Sequence, residues 1–315
     1  MKRVAFIYPG QGSQQVGMGE ALYQTYPVVK ELFEQANGLL NIDLMNLMFA
    51  GPDDKLKQTE NAQPALLLTS VAITKVLSEY GIKPVRLAGH SLGEYSALVA
   101  ADAIQFQDAL PLVQARGRLM EEAYPKGQGL MAAVLGMEQD ALQKELEQIQ
   151  SETNEVIEIA NLNCPGQIVI SGTKGAIELA VTKLKEAGAK RVLPLNVSGP
   201  FHSSLMKPAA KALSKRLEQV DVTNASIPVY ANVSAEEVMD QAEIKQLLIE
   251  QLYSPVRFEE ILHRLNEDSL DAIVEIGTGK VLTGLMKKVN RRMTTFSIQD
   301  PESLQAFISW YKEES

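Results

Sequence analysis

Five consecutive residues, Gly89-His90-Ser91-Leu92-Gly93, have the Gly-x-Ser-x-Gly spacing that lets a serine hydroxyl act as a nucleophile. Glycines two residues to either side leave room for a sharp strand-to-helix turn, and the helix start beyond it offers backbone N–H groups to a developing oxyanion. An idle serine in a glycine-rich turn would carry the same letters, so context decides. Val85 to Ala88 is an apolar, strand-like run before the serine, and Glu94 to Ala101 after it is compatible with helix. A serine of this kind needs a base, and the chain has three histidines, His90, His202 and His263. His263 lies off the apolar stripe formed by Phe258, Ile261, Leu262 and Leu265, on a solvated face. His90 adjoins the serine, where consecutive side chains diverge, and suits lining the site better than proton transfer. His202 sits in Ser198-Gly199-Pro200-Phe201-His202-Ser203-Ser204, a segment with no helical or strand period, and is the remaining candidate base. Arg116 stands in a largely apolar helical segment, Leu112 to Met120, where an unpaired cation costs stability. On spacing alone a surface cation or a structural salt bridge explains it best; turned into a pocket, its planar fork would hold a substrate carboxylate.

The elements that must position these groups alternate in type. A strand at Val4 to Tyr8 runs into the glycine-rich stretch Pro9-Gly10-Gln11-Gly12-Ser13-Gln14. Helical spacing follows around Leu22, in Val29 to Leu32 and in Ala65 to Leu77, before the second strand delivers Ser91. Such alternation predicts a mainly parallel α/β sheet. From about Leu130 the order becomes β-α-β-β-α-β. It comprises a strand at Leu130 to Leu135, a helix with Leu142, Leu146 and Ile149 on one face, and strands near Val156 to Ala160 and Gln167 to Ser171. A helix carrying Ile177, Val181 and Leu184 and a strand at Arg191 to Leu195 complete it. The expected organisation is therefore a large α/β domain over 1–127 and 199–315 with a ferredoxin-like (βαββαβ) subdomain inserted over 128–198. Lys126-Gly127-Gln128-Gly129 and Ser198-Gly199-Pro200 are its hinges.

Composition bounds the rest. With 45% hydrophobic and 22% charged residues over 315 positions, the chain is neither disordered nor low-complexity. Its net charge of -9 argues against general binding of nucleic acid or anionic membranes, so an acidic partner must find a local basic patch. The single cysteine, Cys164, excludes an internal disulfide and a thiolate-rich cluster; with the histidines scattered, no metal site is expected, and a reducing, cytoplasmic setting fits best. Val4 to Tyr8 is too short for a signal-peptide core, and the apolar run Asn61 to Thr74 falls short of the roughly 20 residues a membrane span needs. The loop around Gly10 and Gly12 lacks the Gly-x-Gly-x-x-Gly of a dinucleotide site.

Six strings together resemble the malonyl-CoA:acyl carrier protein transacylase family. They are Tyr8-Pro9-Gly10-Gln11-Gly12-Ser13-Gln14, Gly89-His90-Ser91-Leu92-Gly93-Glu94, Gln114-Ala115-Arg116-Gly117, Asn163-Cys164-Pro165-Gly166-Gln167-Ile168-Val169-Ile170-Ser171-Gly172, Gly199-Pro200-Phe201-His202-Ser203 and Gln251-Leu252-Tyr253-Ser254-Pro255-Val256. They stand in the family's order and extend to Gly277-Thr278-Gly279-Lys280, covering nearly the whole chain. The resemblance implies a hydrolase-like parallel-sheet domain with an inserted ferredoxin-like subdomain, and a ping-pong acyl transfer. Ser91 would attack the malonyl-CoA thioester with His202 as base, and the backbone N–H groups of Gln11 and Leu92 would hold the oxyanion. Arg116 would bind the free carboxylate of the malonyl group. A carbonyl near Gln251 would orient His202 in place of a carboxylate, and Asn161 matches an asparagine near the family's acyl pocket. No bound cofactor is implied; the acyl acceptor would be the phosphopantetheine thiol of acyl carrier protein, and the pathway fatty-acid or polyketide synthesis. Phe201, beside His202, would crowd a branched acyl chain. Thr278 departs from the proline of many relatives and Phe258 from the tryptophan of some. For an acidic carrier, the clearest cationic cluster is Lys287, Lys288 and Arg291, opposite the apolar face Leu282, Leu285, Met286 and Val289, with Lys190-Arg191 a second candidate.

Two other functions compete. A serine esterase or thioesterase would pass the acyl group to water, but expects the order Ser, Asp, His with a C-terminal histidine, for which only the badly placed His263 is on offer. A non-catalytic acyl- or carrier-binding module would have no need of Ser91, His202, Arg116 and the Gln11 loop in one chain.

Overall fold

Two apolar patterns in the chain become two sheets in the computed structural model, which describes residues 2–313. In chain order the strands are β1 Val4–Tyr8, β2 Arg86–Gly89, β3 Gly129–Leu135, β4 Ile157–Cys164, β5 Gln167–Thr173, β6 Arg191–Pro194, β7 Val229–Tyr230, β8 Glu237–Val238, β9 Val256–Arg257, β10 Ala272–Ile276 and β11 Thr295–Ile298. The larger sheet runs β11-β10-β1-β2-β7-β8, parallel throughout except for β8 against β7. All five residues of β1 are buried, because helices cover both faces of a parallel sheet, and so the strand reads as a continuous apolar run. The chain winds from β1 through β2 to β7 on one side and returns through β10 and β11 on the other. Loops at the carboxyl ends of the central strands therefore converge on one crevice.

The smaller sheet has the order β6-β3-β5-β4-β9, with β3 antiparallel to β5 and β6, and β4 antiparallel to β5. Helices Gln139–Thr153 and Lys174–Glu186 bury Leu142, Leu146 and Ile149, and Ile177, Ala180 and Leu184, giving the βαββαβ order expected from periodicity. Val181, expected on the buried stripe, is only half-buried, and Ala180 takes its place. The strand expected to end at Ala160 continues to Cys164. Its polar tail, with Asn161 and Asn163, hides the continuation, and the register slips twice along it. This tail pairs in parallel with β9 through Asn161↔Val256 and Leu162↔Arg257, so the small sheet is extended by a strand from beyond residue 199. No helix among the described residues is long and apolar enough to cross a membrane.

Candidate active site

The elbow is built by steric exclusion. Ser91 is held at φ 51° and ψ −103°, and the helix Leu92–Ala100 starts at the next residue. A Cβ on Gly89 would lie 1.9 Å from the backbone carbon of Gly93, and one on Gly93 would lie 2.0 Å from the Tyr8 carbonyl oxygen. On Gly10 it would lie 2.4 Å from the His90 carbonyl oxygen. Only glycines allow β2, the helix and the loop after β1 to approach this closely. The Gln11 loop is thereby set against the elbow, and the Gln11 amide Nε2 donates to Thr59 Oγ1 at 3.1 Å to anchor it. Among the described residues the backbone N–H groups of Gln11 and Leu92 have no acceptor, and that of Leu92 is at the positive end of the helix.

His202 comes to this point on the turn before the helix Lys207–Leu217, also at positive φ, 58°. Its Nε2 is 2.9 Å from Ser91 Oγ, and its Nδ1–H donates to the main-chain carbonyl of Gln251 at 2.8 Å. That second bond selects the tautomer, leaving the Nε2 lone pair facing the hydroxyl. Burial drives the imidazole pKa down to about 3, with the Arg116 charge adding to the effect, so His202 is neutral and its Nε2 lone pair is unprotonated.

Arg116 is wholly buried on the helix Phe106–Glu122. Its Nη2 donates to Ser91 Oγ at 3.0 Å and to Gln251 Oε1 at 2.7 Å, its Nη1 donates to Gln63 Oε1 at 2.9 Å, and its Nε has no partner. The guanidinium also lies 5.3 Å from the Tyr95 ring. Among the described residues it hydrogen-bonds to neutral groups and makes no direct ion pair, so it is neither the surface cation nor the structural salt bridge that spacing favours. A guanidinium held dry by neutral groups beside a serine has the chemistry to receive an anion. Gly117 makes its close approach possible, since a Cβ there would lie 2.6 Å from the Thr59 carbonyl oxygen.

Sequence reasoning missed the layer beneath. Asn232, just after β7, accepts the Ser91 N–H at 2.7 Å and donates to the Gly89 carbonyl at 2.7 Å, bracing the strained elbow from below. Glu94 Oε2 accepts from the Asn232 N–H at 2.9 Å and from Gln251 Nε2 at 2.8 Å. Its only sequence signal is a carboxylate in an otherwise apolar helix start; Asn232 and Gln63 have none. The Gln251 side chain joins Arg116 to Glu94 while its carbonyl holds His202, so one residue serves three others.

The other expected residues divide. His90 Nε2 hydrogen-bonds to Asn163 Oδ1 at 2.8 Å, its ring packs edge-on to Phe258, and burial lowers its pKa. Asn161 is buried on β4 but makes none of the site's hydrogen bonds; the asparagine of that strand that does is Asn163. Phe201 is buried in the main apolar core. His263 is exposed, beside Glu259. In the cationic cluster the helix ends at Val289, Lys288 and Arg291 are exposed, and Lys287 is not free. Its ammonium turns back to the carbonyls of Arg291 and Met293, closing its own loop, because a lysine near a helix end finds unpaired carbonyls within reach.

Residues 5–303 match the family described as acyl transferase domain. The chain is 52% identical over 315 residues to a malonyl CoA-acyl carrier protein transacylase of Bacillus subtilis, covering 100% of this chain and 99% of that one. It is 46% identical over 308 residues to the protein of that name from Haemophilus influenzae, covering 97% and 98%. Among solved structures, an acyl carrier protein S-malonyltransferase from Vibrio cholerae superposes with a TM-score of 0.94 at 46% identity, over 97% of this chain and 99% of that one. A malonyl-transacylase solved in complex with its holo type II PKS acyl-carrier protein superposes with a TM-score of 0.94 at 41% identity, over 98% and 99%.

Proposed function

This chain belongs to the acyl transferase domain family, and we propose that Ser91 is the nucleophile of its reaction. The protein is an acyltransferase that moves malonyl from malonyl-CoA to acyl carrier protein, in fatty-acid or polyketide synthesis. The observation that carries the assignment of residues is the pair of contacts on one oxygen: Ser91 Oγ has His202 Nε2 at 2.9 Å and Arg116 Nη2 at 3.0 Å. A malonyl group separates its thioester carbonyl from its carboxylate by a single methylene, so a cation touching the nucleophile sits where the carboxylate must be when that carbonyl is attacked.

The geometry supports a sequence of steps. His202 Nε2 takes the Ser91 proton as Oγ attacks the thioester carbon, and the imidazolium that forms is steadied by the Gln251 carbonyl. The tetrahedral oxyanion lies against the N–H groups of Gln11 and Leu92, which are worth most in a dry site at a helix start. Collapse expels CoA, which leaves with the proton from His202, and a malonyl-serine ester remains. In the second half the phosphopantetheine thiol of the carrier gives its proton to His202 and attacks the ester, restoring Ser91. The protein itself contributes no cofactor to either half. Cys164, buried and unpaired, supports work in the reducing cytoplasm.

The test follows intact mass. Incubation with malonyl-CoA should add one malonyl group at Ser91, and holo acyl carrier protein should then remove it and become malonylated. Release of the adduct as free malonate, with none on the carrier, would instead identify a hydrolase.

A further inference from the structure

The buried charge of Arg116 needs a counter-charge. Two carboxylates are buried among the described residues, Glu94 and Glu275. Glu275 is committed elsewhere, accepting from the N–H groups of Leu282 and Thr283 at the start of another helix. Glu94 faces Arg116 through one intervening side chain, since Gln251 receives Arg116 Nη2 on Oε1 at 2.7 Å and donates from Nε2 to Glu94 at 2.8 Å. A carboxylate paired across an amide leaves the guanidinium without an anion in direct contact, and its Nε is without a partner among the described residues.

Resting on the malonyl-transfer reading, we propose that Glu94 is the resident counter-ion of Arg116 and a specificity-determining residue: when the substrate's carboxylate takes Arg116, Glu94 gives up that role by taking up a proton. Two carboxylates and one guanidinium in a dry cavity leave one negative charge uncompensated, and protonating the displaced carboxylate removes it. Glu94 is poised for this, its pKa being pushed up to about 7 by burial against the pull of its hydrogen bonds and Arg116. The other titratable groups around the cluster are shifted away from neutrality. Tyr95, next to Glu94 on the same helix, is raised to about 12, His202 is lowered to about 3, and His90 is also lowered. The transfer chemistry consumes no proton, because the serine proton leaves on CoA.

The experiment is malonylation of the full-length protein with excess malonyl-CoA in weakly buffered solution containing a pH indicator, with the adduct at Ser91 counted by intact mass. Near pH 7 the inference expects net proton uptake for each malonyl-serine formed, growing as the pH of the incubation is raised, and none with acetyl-CoA, which has no carboxylate to displace Glu94. In parallel, kcat/KM for malonyl-CoA relative to acetyl-CoA should fall several-fold from about pH 7 to 8.5, as a proton becomes harder to acquire. The ratio should be flat in Glu94→Gln. A malonyl adduct formed without proton uptake overturns the inference and leaves malonyl transfer standing; absence of any adduct overturns malonyl transfer itself. The proton count needs no variant, so poor folding of Glu94→Gln would not shield the inference.

Discussion

With its Nη2 3.0 Å from Ser91 Oγ, Arg116 touches the proposed nucleophile directly and is at the same time wholly buried. On the proposed roles, recognition of a carboxylate and attack on a carbonyl are therefore coupled in space. Deleting one member of a desolvated charge pair costs about 2 to 5 kcal/mol, so Arg116→Ala should slow malonyl transfer by roughly 30-fold to several thousand-fold, and acetyl transfer far less. Acylation rates with the two thioesters decide it. A proportionate loss of both would make Arg116 a scaffold residue.

Ser91 separates chemistry from strain. At φ 51° any side chain is uncomfortable, so Ser91→Ala loses the adduct without relieving the backbone, whereas Ser91→Gly loses the adduct and relieves it. Thermal unfolding should place Ser91→Gly above Ser91→Ala by about 1 to 2 kcal/mol. Equal stabilities would mean that the surroundings, Asn232 included, bear no strain at the elbow.

Gly10 tests the proposed oxyanion hole without touching Ser91, His202 or Arg116. A methyl group there must displace the His90 carbonyl oxygen, 2.4 Å from its Cβ, and so pry the Gln11 loop from the elbow. Gly10→Ala is expected to lower kcat by about 10²- to 10³-fold for malonyl and acetyl substrates alike, the cost of one misplaced donor. Full activity with an unchanged fold would remove Gln11 from the mechanism.

Stability should depend on pH through two groups acting in opposite senses. Folding lowers the His202 pKa from 6.5 to about 3, so the unfolded chain binds the extra proton in that window and stability is lost as pH falls through it. Folding raises the Glu94 pKa from 4.5 to about 7, so the folded protein binds the extra proton and stability is lost as pH rises through that range. Relative to the wild type, Glu94→Gln should gain stability from about pH 5 to 8, and His202→Asn should gain from about pH 6.5 to 4. Melting curves that stay parallel for the three proteins across this range would contradict both shifts.

The cationic end of the helix Val281–Val289 offers a docking test refined by its contacts. Lys288 and Arg291 are exposed, so reversing both to glutamate should raise KM for the carrier several-fold and weaken its salt dependence, leaving malonylation of Ser91 unchanged. Lys287→Ala should instead lower the melting temperature, because its ammonium closes the loop onto Arg291 and Met293. Carrier kinetics that ignore the double reversal across a salt series would move docking elsewhere, Lys190-Arg191 being the next surface to reverse.

What the chain determines by itself is local. The Gly89-to-Gly93 spacing implies the elbow because the steric demand lies within five residues, and the βαββαβ order shows in periodicities that each span one element. His202 could be reached by elimination, since only three histidines compete. Arg116 shows how far this goes: its apolar neighbours signal a cost to an unpaired cation, but spacing favours a surface cation or a salt bridge, and only the fold puts Ser91, Gln251 and Gln63 around it. Gln251 was legible through family resemblance, never through its own surroundings. Asn232 braces a serine 141 positions away, Glu94 meets Gln251 across 157, and Lys287 folds back on carbonyls that no charge pattern reveals. Side-chain hydrogen bonds between distant segments leave no period in a sequence, because each depends on where two backbones come to lie. Tertiary structure alone decides which amide turns toward which charge.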